Sequence, residues 1–150
     1  MISKILVATD GSETAWKAVK YAAGLAKQTG SAMTVLSVID KSPLLIQSIP
    51  AVSAPNRLIE PVEDYMRQAA EAYIEKAENL CRKSGIKFKK VIRSGHPVDE
   101  IVKEAKKSKA DLIVMGSHGR GAMRAAVLGS VTYGVIHKAA KVPVLMVRKD

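Results

Sequence analysis

The stretch that decides the fold is Leu112-Ile-Val-Met115 followed by Gly116-Ser-His-Gly119-Arg-Gly121-Ala-Met-Arg-Ala-Ala-Val-Leu-Gly129-Ser130-Val-Thr132. The wholly apolar run 112–115 predicts a buried strand, and residues 131–140 predict a helix. Glycines let the backbone approach an anion closely, and the first amides of a helix lack internal partners and carry the positive end of its dipole. A strand, a glycine-rich loop and a helix beginning at Gly-Ser therefore favour a phosphate-binding turn, with Ser117, His118, Arg120 and Arg124 as side-chain donors.

The spacing of these glycines differs from two common phosphate motifs. No Gly-x4-Gly-Lys string followed by Ser or Thr occurs, and Arg124 stands where the third glycine of Gly-x-Gly-x-x-Gly would be. What remains is Gly116-x2-Gly119-x9-Gly129-Ser130. By itself this spacing fits a purely structural turn with a capped helix equally well.

Length and composition predict one domain, residues 1–150, with 47% hydrophobic and 25% charged residues. The single cysteine, Cys81, excludes an internal disulfide and fits a reducing compartment. No run approaches transmembrane length, and the apolar start is too short for a signal peptide. We therefore expect a cytoplasmic protein with no membrane partner.

The net charge of +10 raises the possibility of nucleic acid as a partner. The lysines lie on predicted helix faces and on one strand, where they deter edge-to-edge aggregation. Only one Phe and one Trp are available for base stacking, and no helix-turn-helix or RNA-binding motif occurs. We expect no specific nucleic-acid binding, and at most weak attraction to polyanions such as nucleotides.

Strand and helix patterns alternate along the chain. Predicted strands cover 4–8, 33–38, 88–92, 112–115 and 144–147; predicted helices run from Ser12 to Gly30, over 61–84, from Pro97 onward, and over 131–140. Continuous apolar strands joined by helical crossovers are typical of a parallel sheet covered on both faces. The fold class is therefore α/β.

Residues 41–60 break this alternation. They hold Pro43, Pro50 and Pro55 and show no clear period. A long connection of this kind is commonly functional, and its leucines and isoleucines are too apolar for a simple linker. We interpret it as a mobile flap near the ligand or a dimer seam; the alternative is a variable surface loop with a small satellite core.

Four motifs now stand in order: Lys4-Ile-Leu-Val-Ala-Thr9-Asp10-Gly11-Ser12, Ala110-Asp-Leu-Ile-Val-Met-Gly116, the glycine loop, and Val142-Pro-Val-Leu-Met-Val147. Together they resemble the universal stress protein family over the whole chain except the variable loop 41–60. The resemblance implies a single-domain, Rossmann-like, adenine-nucleotide-hydrolase-like fold. Its open five-stranded parallel sheet would have the order 3-2-1-4-5, with helices on both faces, and the protein would be a homodimer paired through the fifth strand, Val144–Val147.

In that strand order the chain reverses direction between strands one and four, and ligands of open α/β sheets bind at such a switch point. By similarity to ATP-binding members of the family, the resemblance implies these cofactor-binding residues: Ala8, Thr9, Asp10, Val38, Met115, Gly116, His118, Gly119, Arg120, Gly129, Ser130, Val131 and Thr132.

The resemblance also implies roles for these residues. Base and ribose would lie near the ends of strands one, two and four, between Val38 and Met115. Asp10 would accept from ribose hydroxyls or hold Mg²⁺ or Mn²⁺ through water, or would instead cap the helix at Ser12. The glycines and the 129–131 amides would reach the phosphates, with His118 as a donor and Arg120 neutralising charge or simply solvated.

The function implied is that of an ATP-binding, stress-response regulatory module, with AMP or ADP as further possible ligands. The alternatives are a slow ATP hydrolase and a dimeric scaffold that does not depend on nucleotide. Hydrolysis would need an oriented water, a proton acceptor and charge stabilisation. Only His118 and Arg120 offer such groups, so we assign no catalytic residue, and the three histidines do not have a metal-ligand spacing.

Overall fold

A computed structural model describes residues 1–40, 55–118, 129–139 and 141–149. Its five parallel strands have the spatial order β3-β2-β1-β4-β5. The strands are β1 Lys4–Ala8, β2 Ala32–Ile39, β3 Phe88–Ser94, β4 Leu112–Gly116 and β5 Val144–Val147. The α/β class and the strand order 3-2-1-4-5 are both confirmed.

The helices of the described residues are α1 Glu13–Thr29, α2 Pro55–Lys83, α3 Pro97–Ser108 and α4 Ser130–Lys138. The Oγ atom of Ser12 accepts from the amide of Ala15 at 3.2 Å, and Gly30 ends α1 in the left-handed region at φ 70°. Both are the residues that the sequence predicts, because serine satisfies a free amide and glycine tolerates a positive φ.

Helix α2 begins at Pro55 rather than at residue 61, so the last part of the predicted loop 41–60 is helical. Pro61 lies inside this helix. A proline removes one helical hydrogen bond, but a 29-residue helix offsets that loss through its many other bonds and its packing. Residues 41–54, and with them the predicted flap, lie outside the described residues.

Alternating residues of each strand belong to two separate cores, one on each face of the sheet. Ile5 and Val7 of β1 belong to the core on the face covered by α1 and α2, whereas Leu6 belongs to the core on the face of α3 and α4. All three are at most 1% exposed. No helix of the described residues is both long and apolar enough to cross a membrane.

Strand β1 lies at the centre of the sheet, paired with β2 on one side and β4 on the other. The chain leaves β1 into α1 on one face and leaves β4 toward α4 on the opposite face. The carboxyl ends of β1 and β4 therefore flank a crevice where no helix crosses over, which is the switch point of the fold.

Candidate functional site

The turn after β1 is held rigidly at this crevice. The Thr9 amide donates to the Leu36 carbonyl at 2.9 Å, and the Thr9 hydroxyl accepts from the Gly11 amide at 3.2 Å. Asp10 is exposed, and its Oδ1 atom accepts from the Ser12 amide at 2.9 Å. Asp10 thus does organise the start of α1, as one interpretation of the sequence expects, while its carboxylate lies at the mouth of the crevice.

Gly11 carries a constraint that the sequence does not reveal. Its φ of 81° lies in the left-handed region, and a Cβ atom there would collide with the ring of Tyr73 from α2. The periodicity of α2 predicts only that Tyr73 lies on its inward face. Tyr73 in fact packs on the turn that follows β1, so α2 helps to shape this edge of the site.

Gly116, at the end of β4, is needed for packing against α1. A Cβ atom built on it would lie 2.8 Å from Thr14 Cγ2 and 3.1 Å from the Thr14 carbonyl oxygen. The contact with the Thr14 side chain is closer than real Cβ atoms show, and the contact with its backbone is tighter than most, so a side chain here would require Thr14 and the start of α1 to shift.

Ser117 and His118 form the first residues of the loop after β4. The Ser117 amide donates to the Val147 carbonyl at 2.8 Å, and the Ser117 carbonyl accepts from the Gly129 amide at 2.8 Å. Ser117 therefore ties the end of β5 and the start of α4 to β4. The loop sequence predicts Ser117 as a side-chain donor, but Ser117 is not among the cofactor-binding residues that the family resemblance implies.

The His118 ring is oriented by its neighbour. Its Nδ1 atom lies 2.7 Å from Ser117 Oγ, whereas its Nε2 atom is buried and has no hydrogen-bond partner among the described residues. A buried polar atom left unpaired is costly, so such an atom commonly marks a place for a ligand or water. His118 is consequently a good candidate for a hydrogen bond to a bound molecule.

The start of α4 presents a set of backbone donors. Gly129 is the N-cap in an extended conformation, so the N-cap residue has no side chain to bond the first amides, and the first turn holds no acidic residue. The first helical bond runs from the Tyr133 amide to the Gly129 carbonyl at 2.9 Å, so the amides of residues 130–132 precede it. Ser130 is exposed. These groups suit an anion.

Thr132 has a structural role in addition to its place in this turn. It is 3% exposed, and its hydroxyl donates to the Gly116 carbonyl at 2.8 Å. That bond fixes the start of α4 against the end of β4. Its hydroxyl is therefore engaged within the protein. Only the amides of Thr132 and Val131 are left for the nucleotide contacts that the family resemblance implies for these two residues.

An apolar wall adjoins these polar groups. Ala8, Val38 and Met115 lie near the ends of β1, β2 and β4 and belong to the core on the face of α3 and α4. Ala8 and Val38 are half-buried, and Met115 is 5% exposed. A flat ring could lie against them beside the amides of α4.

The structure thus brings together residues from β1, β2, β4 and the start of α4 that are far apart in sequence. Gly119, Arg120 and Arg124 lie outside the described residues, and the binding roles of all the predicted site residues stay predictions. Within the described ranges, no three His, Cys, Asp or Glu side chains cluster as metal ligands.

Comparison with known proteins was made against families, sequences and solved structures. A sequence profile of the universal stress protein family matches residues 1–148. Universal stress protein MJ0531 of Methanocaldococcus jannaschii is 34% identical over 149 residues, which cover 99% of this chain and 84% of the relative. The solved structure of MJ0577, from the same organism, has a TM-score of 0.84 at 32% identity and covers 100% of this chain and 98% of its own.

Two more distant members of that family have been solved with adenine nucleotides. A universal stress protein in complex with cAMP has a TM-score of 0.69 at 23% identity, covering 99% of this chain and 98% of its own. A protein from Archaeoglobus fulgidus in complex with dAMP has a TM-score of 0.65 at 22% identity, with the same coverage. At these identities the likeness is one of fold.

Proposed function

The chain belongs to the universal stress protein family, and we propose that it is an ATP-binding regulatory module of the stress response. The observation that carries this proposal is the meeting of Thr9-Asp10, Gly116 and the uncapped start of α4 at the switch point of the sheet. The cAMP and dAMP complexes of related folds support an adenine nucleotide as the ligand class.

In this proposal the adenine ring packs against the apolar wall of Ala8, Val38 and Met115. The ribose hydroxyls donate to the exposed Asp10 carboxylate, and Thr9 keeps that turn in place. Burying one face of the ring removes apolar surface from water, which provides affinity without regard to charge. The hydrogen bonds to the sugar then orient the nucleotide.

The phosphates lie at the start of α4, with donors from Ser130 and Val131; the Gly129 amide, which the family resemblance includes, is already bonded to the Ser117 carbonyl. Helix N-termini stabilise anions by about 0.3–1 kcal/mol through the dipole alone, and the direct amide bonds add to that. His118 Nε2 is the further donor on this side, and we expect Arg120 and the Gly119 amide to complete the set. Mg²⁺ or Mn²⁺ would enter with the phosphates, sharing their oxygens and reaching Asp10 through water. AMP and ADP would use the same base and ribose contacts.

We further propose a homodimer formed through β5. This strand is at the edge of the sheet, and its residues Val144–Val147 are only half-buried. An apolar strand with an unpaired edge favours pairing with a second strand. Sedimentation of the purified protein tests this: a monomeric mass at micromolar concentration would contradict it. We place the protein in the cytoplasm, where ATP is abundant and Cys81 stays a thiol.

Slow hydrolysis of ATP is the second candidate activity. His118 is the observation that favours it, because its ring is oriented by Ser117 and its second nitrogen is unpartnered within the described residues. If it acts as a proton acceptor for water, His118→Ala should abolish ADP release and leave ATP binding measurable. Equal release by the variant and the natural protein would exclude this role.

The site is tested by two substitutions that fill the phosphate position. Gly129→Val and Ser130→Tyr should abolish ATP binding in calorimetric titration while thermal unfolding stays cooperative, because their side chains occupy the space in front of the α4 amides. Gly24→Val is the matched control, since Gly24 lies on an exposed part of α1 with no atom within 4 Å of its Cβ position. Unchanged affinity in either folded variant would refute the proposed site.

A further inference from the structure

A second concave surface lies at the opposite end of the sheet from the nucleotide site. It is formed where β1, β2 and β3 begin and where α3 ends, and its volume is about 430 Å³. Five of the residues that line it are lysines: Lys4, Lys87, Lys89, Lys107 and Lys109. We call this surface the lysine pocket.

The strand register explains why these lysines meet. Lys4 is paired with Ala32, and the Met33 amide donates to the Lys87 carbonyl at 2.8 Å. Lys89 is paired with Thr34, one position further along the same strands. Lys4 of β1 and Lys87 and Lys89 of the β3 segment therefore lie at one end of the sheet on either side of β2, and the end of α3 adds Lys107 and Lys109.

The pocket contains no countercharge. None of its lining residues is acidic, and none of its five lysines forms an ion pair with a carboxylate of the described residues. Asp111 follows shortly after Lys109, but its carboxylate accepts from Ser3 and from the backbone amide of Lys4, which hold its pKa below the usual value. All five lysines are exposed to solvent, and an anion that enters the concavity meets no carboxylate among its lining residues.

Lys109 provides an independent sign that the side chains matter here. It is the C-cap of α3 and adopts φ 55°, and it is the one residue other than glycine with a positive φ among the described residues. Glycine is the favoured residue at such a position, because a Cβ atom is strained in the left-handed region. A lysine at this point keeps a charge at the rim of the pocket despite that strain.

Two simpler explanations each cover a part of this set of lysines. Lysines in the last turn of α3 complement the helix dipole, and lysines on the edge strand β3 deter pairing with other sheets. Neither alone explains why charges from three separate elements, β1, β3 and α3, converge around one concavity.

We propose that the lysine pocket binds a compact anion that carries several phosphate groups, at a site separate from the nucleotide crevice. A pocket of this volume suits a small molecule, and ammonium groups contact phosphate oxygens as point charges from any direction. Single-stranded nucleic acid favours exposed aromatic platforms, whereas the single aromatic residue lining this pocket, Phe88, is half-buried. The chemistry therefore favours a small oligophosphate over a polymer.

The test uses inorganic tripolyphosphate as the probe, titrated calorimetrically at low salt into the full chain. Ser130→Tyr serves as the background, so that the nucleotide crevice does not contribute. In that background Lys89→Gln with Lys107→Gln should weaken binding about tenfold, because two ion pairs are lost. Lys20→Gln with Lys27→Gln, an equal change of charge on the exposed face of α1, should change it by less than about twofold.

Two results would overturn the proposal. Equal weakening by both pairs of substitutions would mean attraction to net charge alone, and no weakening by the pocket pair would mean that the anion binds elsewhere. A single-stranded oligonucleotide that binds the same background more tightly than tripolyphosphate, and loses that affinity in the pocket variant, would make the surface a nucleic-acid site instead. Thermal unfolding of each variant verifies that it folds.

Discussion

Gly116 is a predicted site residue that also has a packing role in the fold. Gly116→Ala should lower the free energy of unfolding by about 1–3 kcal/mol, because the new methyl group meets the backbone of Thr14 as well as its side chain. Equilibrium urea unfolding measures this. Gly24→Ala is the matched control: its Cβ position is open, and alanine in a helix should raise stability by about 0.5–1 kcal/mol. Full stability of Gly116→Ala would show that β4 and α1 are not packed as described.

At the scale of single residues, the sequence predicts those features that depend only on neighbours along the chain. Ser12 and Gly30 bound α1 as predicted, because capping is a local matter. It does not predict the contact of Gly116 with Thr14 or of Gly11 with Tyr73, since each joins residues that only the fold brings together. Gly116 was interpreted as an opening for phosphate, and its packing role emerged from the tertiary structure.

The start of β1 is joined to the start of β4 by one carboxylate, and this junction makes stability depend on pH. Asp111 Oδ2 accepts from the amides of Ser3 and Lys4 and from the Ser3 hydroxyl, each at 2.9 Å, and these bonds lower its pKa from 3.8. The folded chain therefore holds this proton less tightly than the unfolded chain. The stabilisation that the Asp111 carboxylate provides is present above about pH 4 and is lost as the pH falls through the pKa of Asp111 in the folded chain.

Asp111→Asn should accordingly be less stable than the natural protein at neutral pH and should lose less stability on acidification. Thermal unfolding across the acid range measures both effects. Asp64→Asn, an exposed carboxylate of α2, is the control and should leave the acid profile unchanged. Parallel profiles for the natural protein and Asp111→Asn would contradict the assigned role of this carboxylate.

The bounds of helices and strands were predictable where the hydrophobic periodicity agrees with the residues that mark the ends of the element. Helix α1 has the predicted bounds because Ser12 and Gly30 mark its ends, and β5 does because it follows Pro143 and ends where the charged Arg148 and Lys149 begin. Helix α2 begins at Pro55, earlier than predicted. The prediction was wrong because prolines are common at loop boundaries, and the sequence pattern alone does not show that Pro61 lies inside a helix.

The fold places the two proposed sites at opposite ends of one sheet. The alternation of strands and helices predicts a parallel α/β fold, and the family resemblance provides the strand order from which the nucleotide crevice is proposed. The lysine pocket was not predicted, because the lysines of β3 and α3 are unremarkable until the register brings them together with Lys4. Sequence patterns thus indicate the buried faces of single elements and the edges of the sheet. A concavity formed by several elements can be identified only once the fold is known.

The central claim is that the crevice at the switch point retains adenine nucleotide. The most direct measurement is to incubate the purified protein with Mg-ATP, remove free nucleotide, denature the protein and identify what is released. We predict intact ATP at about one per chain from the natural protein and from Gly24→Val, and none from Ser130→Tyr. Release of ADP would add hydrolysis to binding. No nucleotide from the natural protein, together with no affinity in titration, would contradict the claim and leave the dimeric scaffold as the function to test.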